Sequence, residues 1–137
     1  MCCQISGDIQ QAMHNGQWLS GRVVQGLQNG RKFGFPTINI ELDMPDLLND
    51  TGVFATELVL NDVHYHGMLY VGTRPTLDLQ TETVEINIFD FDEDCYGANV
   101  LFKICRKIRP EQKFSSPEKL IDQLKKDKDE ILQIFEN

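Results

Sequence analysis

The sequence predicts a mainly β domain, a small barrel or sandwich of short strands followed by one C-terminal helix. Glycine-punctuated runs of β-type residues recur from Trp18 to Ile108. No helix-length segment separates them, which disfavours parallel winding, since each parallel pair needs a long crossover. Helical spacing of apolar residues becomes clear only after Ser115. The 137 residues are one domain's worth of chain.

Residues 1–17 are polar, with room for a short helix over Ile9 to Met13, and read as a lead-in to a domain over 18–137. Strands are expected at Trp18–Val24, Thr37–Leu42, Val53–Leu60, Val63–Val71, Thr83–Phe91 and Val100–Ile108. Asn61-Asp62 has turn chemistry and should join the third and fourth strands as an antiparallel hairpin. Leu120, Ile121, Leu124, Ile131, Leu132 and Phe135 then form an amphipathic stripe, expected to pack on the open side or end of the barrel, with Lys125 to Glu130 facing solvent. Ser115-Ser116-Pro117-Glu118 marks the start of that helix, either serine serving as the cap.

Composition narrows the function. Thirteen Lys and Arg against 21 Asp and Glu give a net charge of −8, which opposes docking on a nucleic-acid backbone but leaves room for a small anion held by backbone amides and a metal. No apolar run approaches the roughly 20 residues of a membrane helix. Cys2, Cys3, Cys95 and Cys105 show no Cys-x-x-Cys spacing, and no secretory leader is visible, so a reduced, cytoplasmic setting is expected, with Cys105 a small buried hydrophobe. His64 and His66 alternate on one strand face without a third metal ligand nearby and read as exposed.

Three stretches offer chemistry. Between the first two strands lie Gly26, Gly30 and Gly34 with adjacent Arg31 and Lys32. Glycines allow backbone amides to approach a phosphate, and the cations screen its charge, although such a connection also serves as a plain turn. Thr37 and Asn39 stand two apart on the next strand and share a face, where their oxygens suit a hard cation such as Mg²⁺ or simply decorate a strand end. In Val84-Glu85-Ile86-Asn87-Ile88, Glu85 faces away from the apolar stripe. It is placed to take a proton from a hydroxyl if that face lines a pocket, or to meet solvent if it does not. Asp90, Asp92, Glu93 and Asp94 lack calcium-loop spacing and read as a polar turn ended by Tyr96-Gly97.

Gly34-Phe35-Pro36-Thr37-Ile38-Asn39 closely resembles the Gly-Phe-Pro-Thr-Ala-Asn signature of riboflavin kinases. Tyr70 to Thr76, Val84-Glu85, Asp90-Phe91, Tyr96-Gly97 and Ile108 to Ser116 are similar to that family's successive blocks, in order, from about Leu19 to the C-terminus. The resemblance implies a six-stranded antiparallel β-barrel with a C-terminal helix, and transfer of the ATP γ-phosphoryl group to riboflavin, giving FMN and ADP. It implies Glu85 as the catalytic base and Thr37 and Asn39 as the magnesium and phosphate positions. Gly26, Gly30, Arg31, Lys32, Gly34, Pro36 and Tyr96 would meet the nucleotide. Arg109, Phe114 and Leu120 would help enclose the flavin ring. It further implies ATP-bound Mg²⁺ and, since the His-x-Gly-His motif of the family's adenylyltransferase half is absent from this sequence, an adenylyltransferase domain that is separate or fused. A monomer is expected, with no nucleic-acid or membrane partner on the charge and hydropathy above. The sequence departs from the pattern at Ile38, where alanine is usual, and at Asn87, where histidine is common after the glutamate. Asp127 falls where the family often has aspartate, with no chemistry assigned to it. A non-catalytic flavin- or nucleotide-binding barrel is the alternative, and it leaves a base beside a metal pair unexplained. A purely structural barrel leaves the glycine-rich loop unexplained as well.

Overall fold

The computed structural model describes residues 18–24, 35–43, 50–75, 80–91 and 95–136, and at 73–75 and 80–82 the backbone alone. The expected helix over Ile9 to Met13 and the cysteines Cys2 and Cys3 lie outside these residues. The strands are β1 (Leu19–Val24), β2 (Ile38–Leu42), β3 (Gly52–Leu60), β4 (Val63–Pro75), β5 (Gln80–Ile88) and β6 (Asn99–Arg109), followed by helix α1 (Pro117–Glu136). They close into a barrel in the order β1-β2-β5-β4-β3-β6, every pair antiparallel, so the barrel rather than the sandwich is formed.

The hairpin forms where Asn61 and Asp62 adopt φ of 52° and 67°, the positive pair that a tight two-residue turn between twisted strands requires. Three strand ends differ from expectation by more than one residue, the end of β4 and both ends of β5, which begins at Gln80 rather than Thr83. β4 runs on to Pro75, pairing with β5 from Gly72↔Thr83 to Pro75↔Gln80, although Thr73, Arg74 and Pro75 carry no apolar alternation. β5 stops at Ile88 rather than Phe91, because Asp90 turns the chain with a φ of 59°.

Strand alternation sorts the apolar residues into two cores. Inside the barrel pack Leu19, Val23, Ile40, Phe54, Leu58, Leu69, Val84, Ile86, Ile88 and Phe102. Outside it, Val53, Ala55, Met68, Phe89 and Cys105 meet Ile131 of α1. The helix therefore lies on the outer face of β3, β4 and β6, not across an open side or end. Burying each such Leu, Ile or Phe contributes about 1.5–3 kcal/mol. Ser116 is the cap, accepting from the Lys119 amide at 3.3 Å. Within the stretch expected to face solvent, Asp127 is instead 1% exposed. Cys95 and Cys105 are both buried, Cys105 within the outer core as expected of a small hydrophobe, but it is disulfide-bonded, against the reduced setting expected.

Candidate active site

The alternation that puts Val84, Ile86 and Ile88 inside the barrel turns Glu85 and Asn87 to its outer face. Across the ladder, Asn39 stands directly opposite Glu85, and Tyr70 stands opposite it on the other side. Thr37, two residues before Asn39, donates its hydroxyl to Glu85 Oε1 at 2.8 Å. Asn87 donates its side-chain amide to the Pro36 carbonyl at 2.7 Å, pinning the approach to β2 against β5 and holding Thr37 in reach of the carboxylate. The segment before β2 is thus fixed by a side chain where the sheet ladder has not yet begun.

A cavity of about 320 Å³ opens on this face. Thr37, Glu85 and Asn87 line it together with Phe35, Val53, Met68, Tyr70, Arg109, Gln112, Phe114, Leu120 and Leu124. The register runs from Glu85 to Tyr70 to Val53 to Arg109, across β5, β4, β3 and β6, so Arg109 stands three strands from Glu85. This is the profile of a small-molecule site, apolar with a few convergent polar groups. Two clasps hold the chain that leaves β6. Tyr70 donates its hydroxyl to Glu111 at 2.9 Å. Burial, reinforced by that bond and by the charges of Glu111 and Glu85, pushes the phenol up to about 12. Arg109 donates its Nε to Asp127 at 2.9 Å, and its guanidinium carbon lies 5.5 Å from the centre of the Phe114 ring. Gly52 makes the close pairing at the end of β6 possible: its φ is 137°, and a Cβ there would run into the Arg109 carbonyl oxygen.

Chemically, the polar end joins a carboxylate to a hydroxyl on a rigid two-strand frame. The Thr37 hydroxyl spends its proton on Glu85 and keeps oxygen lone pairs for another partner. With the Asn39 amide oxygen on the same strand face, it makes an oxygen donor set that fits a hard divalent cation. Among the described residues no cluster of His, Cys, Asp and Glu competes as a metal site.

The structure brings together Thr37, Glu85, Arg109, Phe114 and Leu120 around one cavity, with Asn39 beside Glu85 on the ladder. Pro36 contributes its carbonyl. Tyr96 sits in an exposed turn attached to β1 through the Gly97 amide and the Val23 carbonyl at 2.9 Å, outside the cavity wall. Gly26, Gly30, Arg31, Lys32 and Gly34 lie outside the described residues. Sequence reasoning did not assign Phe35, Val53, Met68, Tyr70, Asn87 and Leu124 to the cavity they line, and gave Asp127 no role. Tyr70 is legible only through its register opposite Glu85, and Asp127 only as a charge within an apolar helical stripe.

The sequence profile of the flavokinase family, described as riboflavin kinase, matches residues 4–135. The chain belongs to the riboflavin kinase family. It is 33% identical over 138 residues to the bifunctional riboflavin kinase/FMN adenylyltransferase of Bacillus subtilis, covering 96% of this chain and 44% of that protein. It is 40% identical over 119 residues to the RNA-binding riboflavin kinase RibR of the same organism, covering 86% of this chain and 51% of the relative. The chain thus spans about half the length of these curated relatives, or less. Among solved structures, it superposes on a macrolide-efflux protein from Streptococcus pneumoniae with a TM-score of 0.81 and 32% identity, over 93% of this chain and 44% of that one. It superposes on riboflavin kinase from Trypanosoma brucei with a TM-score of 0.63 and 27% identity, over 88% and 80%. These likenesses extend the riboflavin kinase assignment from sequence to barrel.

Proposed function

We propose that this chain transfers the γ-phosphoryl group of ATP to the ribityl 5′-hydroxyl of riboflavin, producing FMN and ADP. The observation that carries the reading is the 2.8 Å contact between Thr37 and Glu85, in a cavity also lined by Arg109, Phe114 and Leu120. On this reading the planar ring lies by Arg109, Phe114 and Leu120 while its polyol tail reaches the carboxylate. Glu85 orients the terminal hydroxyl and takes its proton as the hydroxyl oxygen bonds to the γ-phosphorus and the bond to the ADP oxygen breaks. Such transfer depends on in-line placement and charge neutralisation more than on covalent help. Thr37 and Asn39 would hold Mg²⁺, which when bound neutralises phosphate charge. Asn87 and the Pro36 carbonyl keep Thr37 aligned. Gly26, Gly30, Arg31, Lys32, Gly34, Pro36 and Tyr96 are assigned to the nucleotide, and residues 18–137 to the kinase unit with 1–17 as its lead-in. The net charge of −8 favours small-molecule partners over a nucleic acid, even though one relative is named for RNA binding. A cytoplasmic, monomeric enzyme supplying FMN to a separate or fused adenylyltransferase is consistent with this reading.

The test incubates the chain with riboflavin, ATP and MgCl₂ and separates the flavins chromatographically. Equal amounts of FMN and ADP are expected. Riboflavin binding without FMN would replace the reading by that of a flavin-binding module. No riboflavin binding would overturn the assignment of the cavity.

A further inference from the structure

Helix α1 lays Leu120, Leu124 and Ile131 against the barrel, and Asp127 stands in the same stripe. A carboxylate in that row, 1% exposed, is costly unless fully paired. It is fully paired: both oxygens accept from Arg109 Nε, at 3.1 and 2.9 Å, and one also accepts from the Gln123 amide at 2.9 Å. Stability alone does not explain the pair, because replacing a buried ion pair with apolar side chains is often neutral or stabilising. What the pair does is fix a direction. Arg109 is bound by Asp127 at Nε, by the Pro110 carbonyl through Nη1 at 3.3 Å, and lies against Phe114 on one face. Arg109 and Phe114 both line the cavity, and Arg109 stands three strands from Glu85 in the register Glu85, Tyr70, Val53, Arg109. Arg109 is also the only cation among the cavity's described lining residues, and Asp127 offsets its charge. The cavity's one described cation is thus held by three hydrogen bonds with its charge offset by Asp127, which suits an uncharged planar heterocycle better than a phosphate.

We propose that Asp127 is a positioning residue: by holding Arg109 it sets the ring-facing wall of the cavity, and with it the affinity for the planar acceptor, without acting on the phosphoryl-transfer step. The inference rests on the riboflavin kinase reading of the cavity and assigns Asp127 a part in recognising the ring.

The test uses the full chain and three variants, Asp127→Asn, Asp127→Glu and the double variant Arg109→Met/Asp127→Leu. Riboflavin affinity is read by quenching of its fluorescence, alongside kcat, the KM for riboflavin, the KM for ATP and thermal melting. Asp127→Asn should weaken riboflavin binding about tenfold, by analogy with the loss seen when a carboxylate that orients a metal-ligating side chain is removed. Its kcat at saturating riboflavin and its KM for ATP should stay within about twofold, and Asp127→Glu should recover part of the affinity. The double variant separates folding from recognition. With an apolar pair it should melt no lower than the parent yet bind riboflavin weakly. Riboflavin affinity equal to the parent's in either Asp127→Asn or the folded double variant overturns the proposal. So does a fall in kcat that tracks a lowered melting temperature with the KM for riboflavin unchanged, since that is a structural role only. Failure of the unmodified chain to quench riboflavin overturns the cavity assignment itself, an outcome distinct from the others.

Discussion

Glu85→Gln is the substitution that isolates proton transfer from everything else the cavity does. The side chains differ by one atom, and the amide can satisfy the Thr37 hydroxyl at the 2.8 Å separation of the native contact, because it both donates and accepts. The β2–β5 ladder that places Asn39 opposite residue 85 is backbone and is unaffected. Arg109 stands three strands from residue 85 and Phe114 and Leu120 of the same lining are unchanged, so riboflavin affinity by fluorescence quenching should change less than about threefold. What glutamine cannot do is accept the hydroxyl proton. Positioned general bases contribute about 10²- to 10⁴-fold, so kcat should fall by that factor, about 2.7 to 5.4 kcal/mol of barrier at 1.36 kcal/mol per decade. FMN formation measured chromatographically at saturating riboflavin and ATP gives the number. A variant that binds riboflavin normally and keeps kcat within about tenfold of the parent would refute the base assignment and leave Glu85 a hydrogen-bonding strut for Thr37.

Thr37→Val keeps the shape of the side chain and removes its oxygen, so half-maximal activity should require about tenfold more Mg²⁺; an unchanged magnesium titration would remove Thr37 from the metal site. Ile131 is wholly buried between α1 and the barrel, and Ile131→Ala should cost about 2–5 kcal/mol in denaturant unfolding; a loss under about 1 kcal/mol would mean that the helix is not docked as described. His66 stacks on Phe135 with ring centres 3.8 Å apart, and burial lowers its proton affinity below the ordinary histidine value of 6.5, against the opposing pull of Glu57 and with the help of His64. The unfolded chain therefore takes up a proton at that position before the folded one does, and stability present above about pH 6.5 is lost as pH falls below it. His66→Phe, which keeps the stack, should flatten the melting temperature between about pH 7 and 5, and an unaltered slope would assign the effect to other groups.

The elements whose signal is local were legible in the sequence. Val84, Ile86 and Ile88 alternate with Glu85 and Asn87, so both the strand and the outward face of Glu85 follow from a period of two. Asn61-Asp62 demanded its turn by chemistry. The extension of β4 through Thr73, Arg74 and Pro75 was not legible, because those residues carry no apolar alternation and the strand is defined by its pairing with Gln80 to Thr83. The end of β5 was misplaced because Phe89 and Phe91 continue the β-type composition while Asp90 reverses the chain. At the site, Thr37, Asn39 and Glu85 were legible as residue types on strand faces, and through family resemblance as a set. Their meeting depends on the β2–β5 register, which the sequence does not carry. Tyr70 and Asp127 are cases of the same limit: one takes its place from the β4–β5 register, the other from a partner 18 residues away on β6.

A small closed barrel fills its interior with its own side chains, and here Phe54, Leu58, Leu69, Ile86 and Phe102 leave the inside to packing. Binding chemistry is thereby displaced to the outer face, where a second layer must cover the apolar residues without sealing the cavity. Helix α1 does both along its length. Its first turns give Leu120 and Leu124 to the cavity wall, its middle gives Asp127 to Arg109, and beyond that Ile131 closes the second core. Perturbation of one helix should therefore read out differently by position: as ligand affinity near its start, as orientation of Arg109 at its middle, and as stability beyond. That gradient follows from the helix crossing the boundary between a cavity and a core, and it makes α1 part of the binding site as well as a cover for the barrel.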